Sequence, residues 1–467
     1  MATPQELFIS AVELIKSEKL PEAAELLTNC LLLEPKVAHA WDNRGSVLQK
    51  LGHPFDAILN YDKAIELLPE EGSFYNNRGT AYLAQSEYDK ALADFKRATE
   101  LNPKIAECHN NYGNTLMRLN KPHEAIDCYR QAIRVRPDYA DAHLGLSLAL
   151  LKDNQLEEGW KEYEWRWRNQ QMHPRNLKIA DWGGEQAKSP DDGLLLYGEQ
   201  GYGDDLQFMR YAALAKKLAW KGKVYLELRQ PLVRLAETME GIDGVISMGS
   251  KFPDNVVACA PLLSCPHLMW GKIPGVPPFK PYFRPDPFRV SIWKDRLKQL
   301  PAGLKVGICW AGMNRDRNPT ASAIDFRRSM DLQQFKPLCL KGVSWASLQL
   351  GPKAEQMRTP PTGMTGLDYT VELYDFYDTA ALIEACDLVI TVDTAVCHVA
   401  GALGKPVWML SRFDGCWRWL KDREDTPWYP TMRIFNQKEE GNWAEVVERM
   451  VPELKREISS YEARAAA

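Results

Sequence analysis

The sequence predicts an α-helical repeat array followed by an α/β region made of two similar halves. Three observations carry this. Pro35, Pro69, Pro103 and Pro137 stand 34 residues apart in the first third of the chain. From Leu194 onward, short apolar runs alternate with helical patterns, which argues a parallel, doubly wound sheet. Within that region Pro274 to Pro287 is rich in proline and marks a hinge between halves. The expected boundaries are 1–170 for the repeats, 171–192 for a linker, 193–285 for the first α/β half, and 286–467 for the second half with a terminal helix.

Length and composition frame this reading. At 467 residues there is room for roughly three domain-sized units. The net charge of -4 gives no support for general nucleic-acid binding. Ten cysteines without a C-x-x-C pair indicate neither a zinc ribbon nor a redox pair, and fit a reduced cytosolic compartment. The opening MATPQELFISAVELIKSEKL mixes charges with apolar residues and does not read as a signal peptide. No run approaches the ~18 to 20 apolar residues that span a bilayer. The expectation is a cytoplasmic chain with no transmembrane segment and no nucleic-acid partner.

The repeats have internal logic. Ala23, Ala57, Ala91 and Ala125 share the register of the prolines, and Tyr61, Phe95 and Tyr129 follow three of them by four residues. Gly45, Gly79 and Gly113 hold a further position, with Trp41, Tyr75 and His109 four residues earlier. Small residues let two antiparallel helices approach, the aromatic fills the gap to the next pair, and proline ends the second helix. These positions resemble the tetratricopeptide repeat over four units, so a TPR superhelix is expected. A weaker fifth unit from Ala140, with Gly159 and Tyr163 in the alanine and aromatic slots, reads as a cap. Such a superhelix offers a concave face to an extended peptide or a partner's surface. Asn43, Asn77 and Asn111 recur at one position of the first helix, although asparagine is a mediocre helix former. They are either solvated polar residues or a ladder that bonds the backbone of a bound chain.

Between Trp160 and Asp192 the period is lost. Tryptophans interleaved with arginine and glutamate suggest a helix packed between domains, followed by loops at Pro174, Gly183–Gly184 and Ser189–Pro190. Strands are expected at Leu194–Tyr197, Val224–Leu228, Val245–Met248 and Val256–Cys259, with helices over Asp204–Leu218 and Pro231–Met239. The turn GEQGYGDD lacks the third glycine of a dinucleotide fingerprint, and Asp204 would repel a pyrophosphate. An acid at a strand–helix turn is better suited to take a proton from a hydroxyl, or simply to cap its helix.

In the second half, a short helix at Trp293–Leu300 precedes a strand at Lys305–Trp310. A long polar loop is expected from Ala311 to Ser329, carrying Arg315, Arg317, Arg327 and Arg328. Arginine suits bidentate phosphate recognition, with a solvated loop as the plain alternative. A strand at Val343–Leu350 and a helix at Asp375–Cys386 lead to DLVITVDTAVCHVAGALGKPVWML. Here Leu388–Val392 reads as a buried strand, Thr394 as the cap of a helix over Ala395–Leu403, and Val407–Leu410 as the next strand. Ligands sit beyond the carboxyl ends of such strands, and the N–H groups at Thr394–Val396 favour a phosphate. Asp393 is placed to accept a bond from a sugar hydroxyl, and His398, one turn on, to reach the same ligand. The plain alternative is an Asp–Thr cap and a satisfied helix histidine. Trp417, Trp419 and Trp428 are expected in the core, before a strand at Met432–Phe435 and an amphipathic helix at Trp443–Ile458.

The segments GEQGYGDDLQF, KVGICWAG, FRRSM, SLQLG, DTAALIEACDLVITVDTAVCHVAGALGKPVWML and REDTPWYPTMRIF resemble bacterial tetratricopeptide proteins carrying a glycosyltransferase domain. That domain is similar to the ADP-heptose:lipopolysaccharide heptosyltransferases and, more distantly, to O-GlcNAc transferases, which carry an asparagine ladder at the matching repeat position. The resemblance implies a GT-B fold of two Rossmann-like halves, needing no metal and using a nucleotide-sugar as substrate rather than cofactor. It implies Asp204 as the base, and Arg327, Arg328, Asp393, Thr394, Ala395 and His398 around the donor. Asp205 departs from the family pattern and leaves open which acid works. Cys397 stands in place of a common alanine, and the loop before Arg327 is longer than usual. The implied activity is an inverting transfer to an acceptor recruited by the repeats, a protein or peptide held through Asn43, Asn77 and Asn111. The alternatives are a saccharide or lipid-linked glycan acceptor, and an inactive scaffold.

Overall fold

A computed structural model describes residues 2–169, 175–313 and 319–466, with the backbone alone at 319 and 320. The chain divides into two compact units, Met1–His173 and Pro174–Ala467.

In the first unit the described residues form paired helices. Pro4–Lys16 (α1) pairs with Leu20–Leu33 (α2), Ala38–Lys50 (α3) with Pro54–Leu67 (α4), and Gly72–Ala84 (α5) with Tyr88–Leu101 (α6). Ala106–Arg118 (α7) pairs with Pro122–Val135 (α8), and Ala140–Lys152 (α9) with Leu156–Tyr163 (α10). The small residues do what their register implies. A Cβ at Gly45 would lie 2.7 Å from the Tyr61 ring, at Gly79 2.9 Å from Phe95, and at Gly113 2.9 Å from Tyr129. Each aromatic therefore packs on the glycine of its own helix pair, and Tyr129 also reaches Gly145 of the next. The ring slot has a function that the register alone did not reveal. The Trp41 indole N–H and the Tyr75 hydroxyl donate to the carbonyls of Pro35 and Pro69, at 2.8 and 3.1 Å. His109 and His143 meet the carbonyls of Pro103 and Pro137 in the same way, both at 3.0 Å. Each ring thus ties its helix to the carbonyl of the proline that ends the preceding one. The tryptophan-rich segment forms a short 3-10 turn, Glu164–Arg168, in place of the expected helix, and Trp165 stacks on His143 within this unit.

The second unit contains two parallel sheets, the arrangement of a GT-B type α/β fold. The first comprises Ala180–Asp181 (β1), Gly193–Tyr197 (β2), Lys223–Leu228 (β3), Gly244–Ser247 (β4) and Val256–Pro261 (β5), in the order β1-β5-β2-β3-β4. Its helices are Tyr202–Phe208 (α11), Arg210–Leu214 (α12), Gln230–Ala236 (α13) and Cys265–Leu268 (α14). The single helix expected over Asp204–Leu218 is broken at Met209, and its last part, Ala215–Trp220, is a π turn. The second sheet comprises Leu304–Cys309 (β6), Val343–Ser347 (β7), Gly366–Leu367 (β8), Leu388–Val392 (β9), Val407–Ser411 (β10) and Met432–Asn436 (β11). Its order is β11-β10-β9-β6-β7-β8. Counted from β6 this is the 3-2-1-4-5-6 order of dinucleotide-binding folds, which reverses between β6 and β9. β7, β9 and β10 are buried along their whole length, including the hydroxyl residues Ser344, Ser347, Thr391 and Ser411.

Pro287–Leu297 (α15), Pro319–Arg328 (α16), Phe376–Ala385 (α17), Ala395–Leu403 (α18) and Trp443–Ala466 (α19) complete the second half. α16 corrects the expectation of a loop from Ala311 to Ser329. Its pattern is inverted: Asp325 is 3% exposed while its neighbour Phe326 is 83% exposed, so apolar periodicity does not report it. Arg315 and Arg317 lie outside the described residues.

Candidate active site

The reversal of strand order sets the carboxyl ends of β6 and β9 side by side, where open α/β sheets bind ligands. Arg328, the last residue of α16, spans that gap. Its Nη1 donates to the carbonyl oxygen of Asp393 at 2.8 Å, and its Nη2 lies 2.6 Å from the Asp325 carboxylate. Gly312, just past β6, lies against the same guanidinium, and a Cβ there would sit 2.6 Å from Nε. Nε itself has no acceptor among the described residues.

Thr394 stands at the N-cap of α18, but its side chain does not cap the helix. Its hydroxyl turns back to Thr391 Oγ1 at 3.2 Å and to Cys309 Sγ at 3.7 Å. The side-chain cap expected from sequence is therefore not made by this residue; the Cys397 N–H bonds the Thr394 carbonyl instead, at 3.1 Å. Asp393 and Thr394 are each 9% exposed at this tip. Arg327 points to a neighbouring cluster, donating to Asp414 at 3.1 Å, and Asp414 also accepts from Arg412 at 2.6 Å. Beside it opens a cavity of about 700 Å³ lined in part by Met313, Phe326, Arg327, Leu350 and Glu440.

His398 is buried. Its Nδ1 meets the Tyr429 hydroxyl at 3.0 Å, and its ring stacks on Trp419. On the other side lies Gly203 of the first half, where a Cβ would come within 2.9 Å of the imidazole Cδ2. Burial pushes its pKa down to about 3, helped by the charges of Arg418, Arg210 and Arg328 and opposed by Asp393, so the ring is neutral at pH 7. It is walled by protein on these faces, and its Nδ1 is the ring nitrogen bonded to Tyr429. Asp393, Cys397 and His398 bring potential metal-ligand atoms within 4.8 Å of one another. The three guanidiniums that disfavour a proton on His398 equally disfavour a cation beside it.

The acids of the first half have separate environments. Asp204 is partly exposed on the first turn of α11. Its Oδ2 accepts from the N-cap Gly201 N–H at 2.8 Å, and its Oδ1 is held by the Arg418 guanidinium of the second half. Asp205 is fully buried, with Gly198 shaped around its carboxylate and Arg229 bonded to its Oδ2. Burial raises its pKa to about 7, outweighing the attraction of Arg229. Of the two, Asp204 alone faces the junction of the halves. Arg418 and Gln207 lie beside Asp204, and the sequence did not mark them. Arg418 sits in the tryptophan-rich run assigned to packing, and Trp417, Trp419 and Trp428 around it are indeed buried.

In the repeats, Asn77 donates to Asp42 at 2.9 Å and Asn111 to Asn76 at 3.1 Å, each reaching back to the preceding first helix. Asn43, Asn77 and Asn111 are all half-buried. At least part of the ladder is thus inter-repeat bracing.

Residues 73–105 match the tetratricopeptide repeat family, residues 113–154 a second TPR repeat family, and residues 374–410 glycosyltransferase family 9 (heptosyltransferase). The chain carries TPR repeats and a family 9 glycosyltransferase segment. The family 9 segment runs from α17 to β10 and includes Asp393, Thr394, Ala395 and His398, while Asp204, Arg327 and Arg328 lie outside it. Among curated proteins, protein FlbA of Caulobacter vibrioides is 27% identical over 332 residues, covering 66% of this chain and 53% of its own length. The chain thus spans about half the length of that relative. Among solved structures, MamA is 20% identical and covers 34% of this chain and 92% of its own, with a TM-score of 0.32. PilF of Pseudomonas aeruginosa is 19% identical and covers 38% and 78%, with a TM-score of 0.34. In the described residues no helix is long and apolar enough to cross a membrane.

Proposed function

We propose that the chain is an inverting glycosyltransferase that moves a sugar from a nucleotide-sugar donor to an acceptor brought by the repeats. The observation that carries this is the family 9 segment lying at the strand-order reversal, with Arg328 bonded to the Asp393 carbonyl across it. Departure of a nucleoside diphosphate requires positive charge at the departing oxygens. Arg328 and the first-turn N–H groups of α18 supply it without a metal, Arg327 adds to it, and Asp393 holds the sugar or ribose. Asp204, from the opposite half, takes the acceptor's proton. His398 supports the donor through packing, with its Nδ1 committed to Tyr429 and its Nε2 turned toward Gly203.

The acceptor we favour is a protein or peptide in the TPR groove. The inter-repeat bonds of Asn77 and Asn111 favour a second reading, in which the repeats serve assembly and the acceptor is a glycan. A thermal-shift screen of ADP-, UDP-, GDP- and CMP-sugars tests the core of the proposal, since a donor raises the melting point. With the donor so found, Asp204→Asn should still bind it but no longer release nucleotide from it. If none of the four classes shifts the protein, the transferase reading fails and the scaffold reading replaces it.

A further inference from the structure

We propose that Arg418 is a second ligand of the donor diphosphate, shared between that group and Asp204. This rests on the transferase reading above and adds a residue and a mechanism of coupling to it. Arg418 comes from the loop after β10 and crosses to the first half, where Nη2 holds Asp204 Oδ1 and Nε donates to Gln207 Oε1 at 2.6 Å. Its Nη1 is spent on Cys416 Sγ at 3.1 Å, and a thiol is a weak acceptor. A phosphate oxygen is a far stronger partner for that N–H, through a charge-assisted bond. The guanidinium is also close to the proposed phosphate seat. Its neighbour Trp419 stacks on His398, and Gly203, next to Asp204, packs on the first turn of α18, where a Cβ would lie 3.9 Å from Ala395 Cα.

A second observation stands apart from Arg418's own bonds. Gln207 is fully buried, and its Nε2 has no acceptor among the described residues. Buried amide donors are almost always bonded, so an orphan one beside a guanidinium asks for an oxygen acceptor there. An anionic oxygen bound by Arg418 meets that need. Arg418 then leaves Asp204 Oδ1 as the diphosphate arrives, and that oxygen becomes available to the acceptor hydroxyl once the donor is seated.

The test is calorimetric titration of the full chain with ADP, UDP, GDP and CDP, each against its nucleoside. For whichever diphosphate binds, Arg418→Gln should weaken binding about tenfold or more, the scale of one charge-assisted bond, and leave the nucleoside unaffected. Asp204→Asn keeps a capping oxygen and removes the competing charge, so it should tighten diphosphate binding several-fold. The double variant should bind like Arg418→Gln, because Asp204→Asn has nothing left to release. Arg418→Lys should fall between wild type and Arg418→Gln, which guards against loss of binding through misfolding. Unchanged or weaker binding in Asp204→Asn, with a diphosphate that does bind the wild type, overturns the shared-guanidinium proposal alone. Absence of binding by all four diphosphates overturns it together with the transferase reading.

Discussion

The guanidinium of Arg328 lies against the backbone of Gly312, so close that a methyl group at 312 would sit 2.6 Å from its Nε. The far end of a long side chain can move, so Gly312→Ala should cost little stability while pushing Arg328 off the Asp393 carbonyl. Diphosphate affinity should fall by roughly one charge-assisted bond, ~1.5 to 3 kcal/mol. Calorimetry and thermal unfolding on one preparation check this. Equal damage to both would mean that Arg328 is a packing residue.

The repeats permit a sharper experiment. Asn77 supplies a bond to Asp42, a buried residue whose pKa burial raises. Asn77→Ala leaves that carboxyl without its donor and should cost about 1 to 3 kcal/mol. Asn77→Asp, which sets two carboxylates face to face, should cost more at pH 7 and less at pH 4. Denaturant unfolding at the two pH values separates bracing from a purely peptide-binding role, for which neither substitution would affect stability.

Two buried groups of the α/β unit oppose each other in acid. The folded pKa of His398 is about 3, against ~6.5 for a free histidine, so its contribution is full above pH 6.5 and lost as pH falls toward 3. Asp205, with a folded pKa of about 7, acts in reverse: its penalty is full above pH 7 and relieved as pH falls toward ~4. His398→Gln should therefore flatten the acid loss of stability, and Asp205→Asn should steepen it. Urea midpoints across pH 4 to 8 show whether the two slopes have opposite signs.

Asp378 ties the two α/β halves together. It is fully buried and accepts from Arg289 at 2.8 Å and, more weakly, from Arg234 of the first half at 3.5 Å. Asp378→Asn should destabilise the unit by on the order of 1 to 3 kcal/mol, discounted because both arginines keep some solvent. Arg234→Ala should cost less, since Arg289 remains. A larger effect from Arg234 would assign the tie to Asp375, which it meets at 2.9 Å.

Legibility of the site followed from the range of its interactions. The β9–α18–β10 unit was readable because strand, turn and helix are encoded within 24 consecutive residues, 387–410. The repeats were readable because one register recurs. α16 was not, since it buries Asp325 and exposes Phe326. The two-residue strands β1 and β8 are too short to leave a pattern. The Arg418–Asp204 contact joins residues 214 positions apart, which no local signal can report. Thr394 misled for a different reason: its hydroxyl had a competing partner in Thr391, one strand end away.

The rings at 41, 75, 109 and 143 have a consequence for how such an array changes over time. Each fastening needs only a side chain with a donor and a carbonyl six positions upstream, both inside a stretch that is copied whole when the unit is duplicated. A copied or deleted module carries its own clasp with it. Tryptophan, tyrosine and histidine are interchangeable there, so drift in that slot is tolerated as long as one polar hydrogen survives.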